Sequence, residues 1–423
     1  MLIGFYFFTM AMKLLRRLHQ LKNSFMKTLC YFFISCFAMT NISFAQVCNS
    51  QVLNKANNKF AVDVYKELLK INESVFFSPY SIYVALSMTM EGAKGNTLAE
   101  MQHTLYSTSN SVCLQKDIKN TQQEFNRLLA FGDSIRTANS LWVQKGMDVL
   151  PSFYKAVKEN YNAELNKTDF INATELSRKN INSWVEKQTN NRIKNLLAKA
   201  VLTKLTRMVL VNAIWFKGKW KTPFSHDATY DDKFYTAKET TTAPFMHRTM
   251  AIKYAEDELV QAIELPYQSD KIAMVVLLPA KGKENAFENK FSQEQVDNWL
   301  DNMKPQEVNI SLPKFKMETG FETGELLKEL GMKKVFTNDA DFSAISETTQ
   351  LKIDKVIHKA FIEVDEDGTE AAAATAVVMM KITSAMPVQR VVKIFKADRP
   401  FTFLLYDRES KTILFMGKMA KPQ

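Results

Sequence analysis

The sequence predicts an α+β fold in one large domain. Apolar residues at helical spacing crowd the first half of the chain, and β-branched and aromatic runs crowd the second. No repeat, low-complexity stretch or Gly/Pro-rich linker divides residues 46–423. Length alone would suggest two or three domains, but strands drawn from distant segments must share one core. A chain of 423 residues, 46% hydrophobic and 24% charged, is ordinary soluble globular material with enough length to bury a large core.

The N-terminus reads as a leader. Lys27 is followed by an apolar stretch, Leu29 to Met39, and then by Ser43-Phe44-Ala45, the small-x-small pattern of a cleavage site before Gln46. Met26 is a possible true start. The stretch is too short to span a bilayer comfortably, so stable membrane insertion is not expected. A lipidated Cys36 or a retained anchor are the alternatives to cleavage. Residues 1–45 are thus signal peptide and leader, residues 46–423 a single domain. The protein is expected to be secreted, periplasmic or at the cell surface.

Lys13, Arg16, Arg17, Lys22 and Lys27 precede residue 46 with no acid among them; removing these five from the chain's +10 leaves +5. No Lys/Arg run interleaves with aromatics, so nucleic acid is not an expected partner. Beyond the leader the cysteines reduce to Cys48 and Cys113, which an oxidising compartment lets pair or which stay two thiols.

Taken in order, Asn58–Leu69 has helical periodicity, Ser81–Met90 is apolar nearly all round and reads as a buried helix, and Asn180–Leu197 reads as an amphipathic helix with Ile181, Trp184, Val185 and Ile193 on one face. Thr206–Phe216, Ile272–Leu278, Glu307–Leu312, Val356–Val364, Phe401–Tyr406 and Ile413–Met416 read as strands. Residues 366–390 break the pattern: Gly368, four alanines and a mixed tail up to Pro387 carry no apolar period. A loop of that length followed by strands is usually functional.

The run Glu366-Asp367-Gly368-Thr369-Glu370-Ala371-Ala372-Ala373-Ala374-Thr375 closely resembles the hinge of inhibitory serpins. Phe77-Ser78-Pro79-Tyr80-Ser81, Asn212-Ala213-Ile214-Trp215-Phe216-Lys217-Gly218-Lys219-Trp220, Leu312-Pro313-Lys314-Phe315, Asp341-Phe342-Ser343, Ile357-His358-Lys359-Ala360, Arg399-Pro400-Phe401 and Phe415-Met416-Gly417-Lys418 resemble further serpin motifs, in serpin order, over roughly residues 50–421. With its leader the chain is similar to secreted, bacterial-type members of that family.

The resemblance implies three β-sheets and about nine helices in one domain, a monomer, with an exposed reactive-centre loop at about 366–390. It implies a suicide-substrate inhibitor of serine or cysteine endopeptidases: the protease attacks the loop, and the loop inserts into the central sheet before the acyl-enzyme can hydrolyse. It also implies that Ser78, Ser81, Asn212 and His358 form a polar group that controls opening of the sheet centre, and that Glu366, Lys314 and Trp220 meet where the loop enters.

The loop has the composition insertion requires. Side chains of a strand alternate between faces. On the family pattern Thr369, Ala371, Ala373 and Thr375 point inward, and all are small. Glu370 falls on the solvent side. No proline occurs from Gly368 to Met386, as a central strand demands. In the family the attacked carbonyl lies sixteen residues after the hinge glutamate. Counting from Glu366 gives the bond Ile382–Thr383, and a loop one residue shorter gives Lys381–Ile382. The mixture of apolar and basic residues suggests broad specificity.

Two rival readings bear on function. Gly132-Asp133-Ser134-Ile135 superficially resembles a nucleophile motif, but no phosphate loop or spaced metal-ligand set accompanies it, so no enzyme, cofactor or metal is expected. A non-inhibitory serpin-fold binding protein would carry bulky, charged or proline residues in the hinge.

Overall fold

The computed structural model describes residues 52–107, 111–369 and 391–422. The chain divides into Met1–Asn49 and Ser50–Gln423, and every described residue belongs to the second part. The described residues hold nine α-helices and fifteen strands.

Helix α1 (Val52–Leu69) packs on α2 (Pro79–Met90), which β1 (Val75–Phe77) precedes. Ser78 caps α2 by accepting from the Ser81 N–H, Pro79 occupies its first turn, and all twelve residues are buried. Helices α3 (Gly95–Thr104), α4 (Ser111–Leu128), α5 (Pro151–Tyr161) and α6 (Thr174–Gln188) complete the helical first half. The helix expected over Asn180–Leu197 ends at Gln188, because Asn190, Asn191 and Asn195 adopt φ of +50°, +61° and +50°. Asparagine tolerates this left-handed region where a helix cannot continue. Ile193 and Leu197 are still buried, but from a turn-rich connector.

The central sheet has the order β10–β11–β12–β4–β2–β3. Its strands are β2 (Ser134–Gln144), β3 (Glu164–Thr168), β4 (Met208–Lys219), β10 (Phe315–Glu322), β11 (Lys355–Val364) and the two-residue β12 (Gly368–Thr369). Both faces of β4 are buried, which its nearly unbroken apolar run requires. Leu210, Ile214 and Phe216 face the main core beside α2. Val209, Val211 and Ala213 face a second cluster built from α6 and the connector.

The remaining strands form one hydrogen-bonded network of nine. They are β1, β5 (Thr229–Tyr235), β6 (Thr240–Glu256), β7 (Val260–Pro266), β8 (Ile272–Pro279), β9 (Lys304–Pro313), β13 (Lys393–Lys396), β14 (Phe401–Asp407) and β15 (Ile413–Met419). Two of the three expected sheets are joined here by the seventeen-residue β6. Its first half pairs with β5 and its last four residues with β7, while β9 runs along most of it. Helices α7 (Glu284–Lys290) and α8 (Gln293–Asn302) connect β8 to β9, and α9 (Gly324–Glu329) lies between β10 and β11 of the central sheet.

Candidate functional site: the seam between two central strands

Strands β11 and β4 lie side by side as a parallel pair, from Lys355 opposite Val209 to Phe361 opposite Trp215. Above Phe361 they part and admit β12, which runs antiparallel to both: Thr369 lies opposite Val364 on one side and Gly218 on the other. The seam is therefore closed over seven residue pairs and already open at its upper end.

At the middle of the seam His358 lies opposite Asn212. The Ser78 N–H donates to His358 Nε2 (3.1 Å), so the proton of the neutral ring sits on Nδ1, 2.5 Å from Asn212 Oδ1. Asn212 Nδ2 donates to Ser81 O (2.9 Å), to Ser81 Oγ and to Asn139 Oδ1 (2.5 Å). Ser78 Oγ donates to Leu414 O at 2.6 Å and accepts from Ser81 N at 3.1 Å. The four residues named from sequence are thus one buried network that bolts α2, β4, β11 and β15 together, and Asn139 on β2 is a fifth member that sequence reasoning missed. Burial drives the His358 pKa down to about 3, so the ring is neutral across the physiological range. Ser78 touches this imidazole only through its backbone N–H, so the pair is not an activated nucleophile.

At the upper end the Trp220 indole donates to Asp365 O (2.9 Å), and its backbone N–H donates to Asp367 O (2.8 Å). The Phe224 N–H donates to Glu366 O (2.9 Å). Lys314 Nζ lies 2.8 Å from Glu366 Oε2, an ion pair by distance without the direction of a hydrogen bond. Burial alone would raise the Glu366 carboxyl. Lys314, the segment's own backbone and Thr229 outweigh it and hold the group below its ordinary range. Glu366, Lys314 and Trp220 therefore meet as named from sequence.

The hinge itself differs from expectation. It was expected to be exposed until cleavage, yet Thr369 is fully buried, and its Oγ1 lies 2.7 Å from the hydroxyl of Tyr267. The physical reason is a pair of glycines. Gly368 has φ +152°, and a Cβ there would lie 2.1 Å from the carbonyl oxygen of Gly218. A Cβ on Gly218 would in turn press on Phe216, Tyr267 and Asp133. Tyr267 stacks on Trp220 with ring centroids 4.5 Å apart and completes the floor beneath Thr369. No motif in the sequence marks this tyrosine.

Ala371, Ala373, Thr375 and the bonds weighed as bait at Lys381, Ile382 and Thr383 lie outside the described residues, as does Cys48. Cys113 is disulfide-bonded. Ser134 opens β2 opposite Lys217 in an antiparallel ladder, not the strand-to-helix turn a nucleophile elbow needs. Among the described residues no group of three or more His, Cys, Asp or Glu could hold a metal ion, and no helix is long and apolar enough to cross a membrane.

A central sheet whose parallel middle pair is tied by a buried polar network and parts at its upper end around a two-residue strand defines the class to which this α+β fold belongs. The family description Serpin (serine protease inhibitor) matches residues 55–422. An uncharacterised serpin-like protein of Thermococcus kodakarensis is 41% identical over 376 residues, covering 87% of this chain and 85% of that protein. A leukocyte elastase inhibitor of Bos taurus is 36% identical over 382 residues, covering 88% and 99%. The crystal structure of Serpin48 from the insect Tenebrio molitor superposes with a TM-score of 0.78 at 31% identity, covering 88% and 99%. The chain belongs to the serpin family.

Proposed function

We propose that this serpin is a single-use inhibitor of serine endopeptidases, and of cysteine endopeptidases with a matching cleft, that traps its target by inserting the cleaved loop into the central sheet. The observation that carries the reading is the register of β12. Continuing the antiparallel pairing from Thr369 would set Ala371 between Ile362 and Phe216, Ala373 between Ala360 and Ile214, and Thr375 between His358 and Asn212. Ile362, Phe216, Ala360 and Ile214 face the main core and His358 and Asn212 the buried polar network, an environment suited to small side chains. Glu370 would fall on the opposite face beside Glu363 and Lys217.

The energetics favour insertion after cleavage. Seven parallel pairs between β11 and β4 would be exchanged for antiparallel partners on both sides of a new strand. About ten added residues contribute on the order of ten backbone bonds at ~1 kcal/mol net each. That matches the whole stability of an ordinary domain, ~5–15 kcal/mol, and suffices to distort a protease still acylated to the loop. The bait is Ile382–Thr383 or Lys381–Ile382, a menu that suits broad specificity. The leader supports action outside the cytoplasm, and the family reading supports a monomer.

The test is incubation with elastase-, trypsin- and subtilisin-type enzymes, followed by denaturing electrophoresis. A complex that survives boiling in detergent, with mass spectrometry locating the acylated residue, is the expected result. Clean cleavage by all three without any complex sinks the inhibitory reading.

A further inference from the structure

Residues 370–390 follow β12 of the central sheet and precede β13, an edge of the four-stranded array β5–β6–β9–β13. On the hinge side, the turn His226–Ala228 that opens β5 places the imidazole of His226 3.6 Å from Glu366 and 3.5 Å from Asp367. On the other side, β13 begins at Lys393. Strands β5 and β13 are the two edges of this sheet.

The sheet's outward face is unusual for a chain in which 24% of residues are charged. The pairings Ile394–Asn309–Thr249 and Lys396–Ser311–His247 put these residues on one side, opposite the buried Phe395, Ile310 and Val308. Tyr230, 58% exposed, stacks on His247 with ring centroids 4.0 Å apart and nearly parallel planes. Ile394 is 70% exposed and Val392 43%. Asn309 and Thr249 between them are exposed and uncharged. Charge appears only at the margins: Glu307 at one end, and at the other the Lys396–Asp232 pair, which neutralises itself at 2.7 Å.

Depletion of charge with aromatic and aliphatic groups retained is the composition of an interface centre, not of ordinary surface. We propose that this face is a docking surface for the target protease, engaged while the enzyme reads the bait. The inference rests on the inhibitory reading. The occupant is identified by reach: the chain between Thr383 and Val391 spans at most about 30 Å even when extended. An enzyme closed over any bond in 379–383 is therefore held within about its own diameter of Ile394. Contact there would add to the affinity of the encounter complex without entering the insertion step.

The experiment pairs Tyr230→Ala with Ile394→Ser in the full-length protein. Both side chains are largely exposed, so the melting temperature of the intact protein should not move. For the enzyme that the wild type captures fastest, the second-order rate of complex formation should fall about five- to tenfold, the scale of losing moderate contacts at an interface. The ratio of complex to cleaved product should stay as in wild type. The wild-type rate should also depend little on salt, because the face carries almost no net charge. An unchanged capture rate in the double variant overturns the docking surface while leaving the inhibitory reading intact. A wild type that traps no enzyme overturns that reading and this occupant together.

Discussion

Thr369 Oγ1 sits 2.7 Å from the hydroxyl of Tyr267, inside the core and between two strands. The first inward-facing residue of the proposed insertion is thus in place before any bond is cut, and insertion would elongate an existing strand.

Thr369→Arg tests that register. An arginine would enter a packed site that holds the Thr369 hydroxyl against Tyr267, and a poorly paired buried charge costs several kcal/mol. Because the site is buried in the intact protein, the variant should either lose several degrees of melting temperature or withdraw β12 from the seam. In both cases loop insertion should lose its race with deacylation, turning inhibitor into substrate. The readout is the ratio of cleaved protein to covalent complex. Retention of the wild-type ratio would show that residue 369 does not seat in the seam.

The pH dependence of the closed sheet follows from His358. Its pKa falls from 6.5 to about 3 through burial. An unfolded chain binds a proton at this site below pH 6.5, whereas the native protein does not until about pH 3. Stability is therefore full above pH 6.5 and declines on acidification by up to ~1.4 kcal/mol per pH unit from this group. Guanidinium unfolding at pH 7.5 and 5.0 should show a midpoint shifted downward at pH 5.0. His358→Gln, which keeps no titrating ring, should flatten that difference; an equal drop in both proteins would assign the effect to other groups.

Much of this site was legible in the sequence, for a physical reason. The bolt residues Ser78, Ser81, Asn212 and His358 sit inside motifs whose apolar neighbours force burial, and a buried polar side chain in an apolar run must find a partner. Glu366, Gly368 and the alanines announce themselves by breaking every local period. Tyr267 and Asn139 gave no signal, because each lies in an unexceptional strand or turn and matters only through a partner far along the chain. The long β6 was missed because its exposed and buried positions do not keep a strict period of two. The early burial of Thr369 was invisible because it depends on Gly218 and Gly368 meeting across the seam.

Cleavage should raise the melting temperature sharply. Nicking the loop between Met380 and Thr383 with a catalytic amount of protease frees residues 370–380 to extend β12 downward. The added ladder contributes on the order of ten bonds, so the unfolding transition should shift by tens of degrees in a scanning calorimeter. Coincident transitions for the intact and nicked protein would contradict insertion.

Lys381→Ala separates the two bait bonds. Trypsin-like enzymes hold an acidic residue in their specificity pocket and need the charge. Loss of capture by trypsin with retained capture by elastase-type enzymes would place Lys381 at the reacting bond for the former. An equal loss against both would mean that the side chain acts through loop shape.

The final prediction concerns the central bolt. In the intact protein Asn212 and His358 bond directly across the seam at 2.5 Å. A strand inserted between them adds a full inter-strand spacing, about 4.8 Å, so that bond cannot survive. The register of β12 would bring Thr375 to this level, opposite both residues. Its hydroxyl can donate to one and accept from the other, replacing the direct bond by two. Thr375→Val keeps the shape and removes the hydroxyl. The intact protein should be unaffected, since its bolt is made without Thr375. The cleaved, inserted form should lose about 1–3 kcal/mol, the cost of leaving buried polar groups unpaired, seen as a lower guanidinium midpoint of the nicked protein alone. Equal stability of nicked wild type and nicked variant would show that the strand inserts in another register, and with it that Ala371 and Ala373 do not face the core.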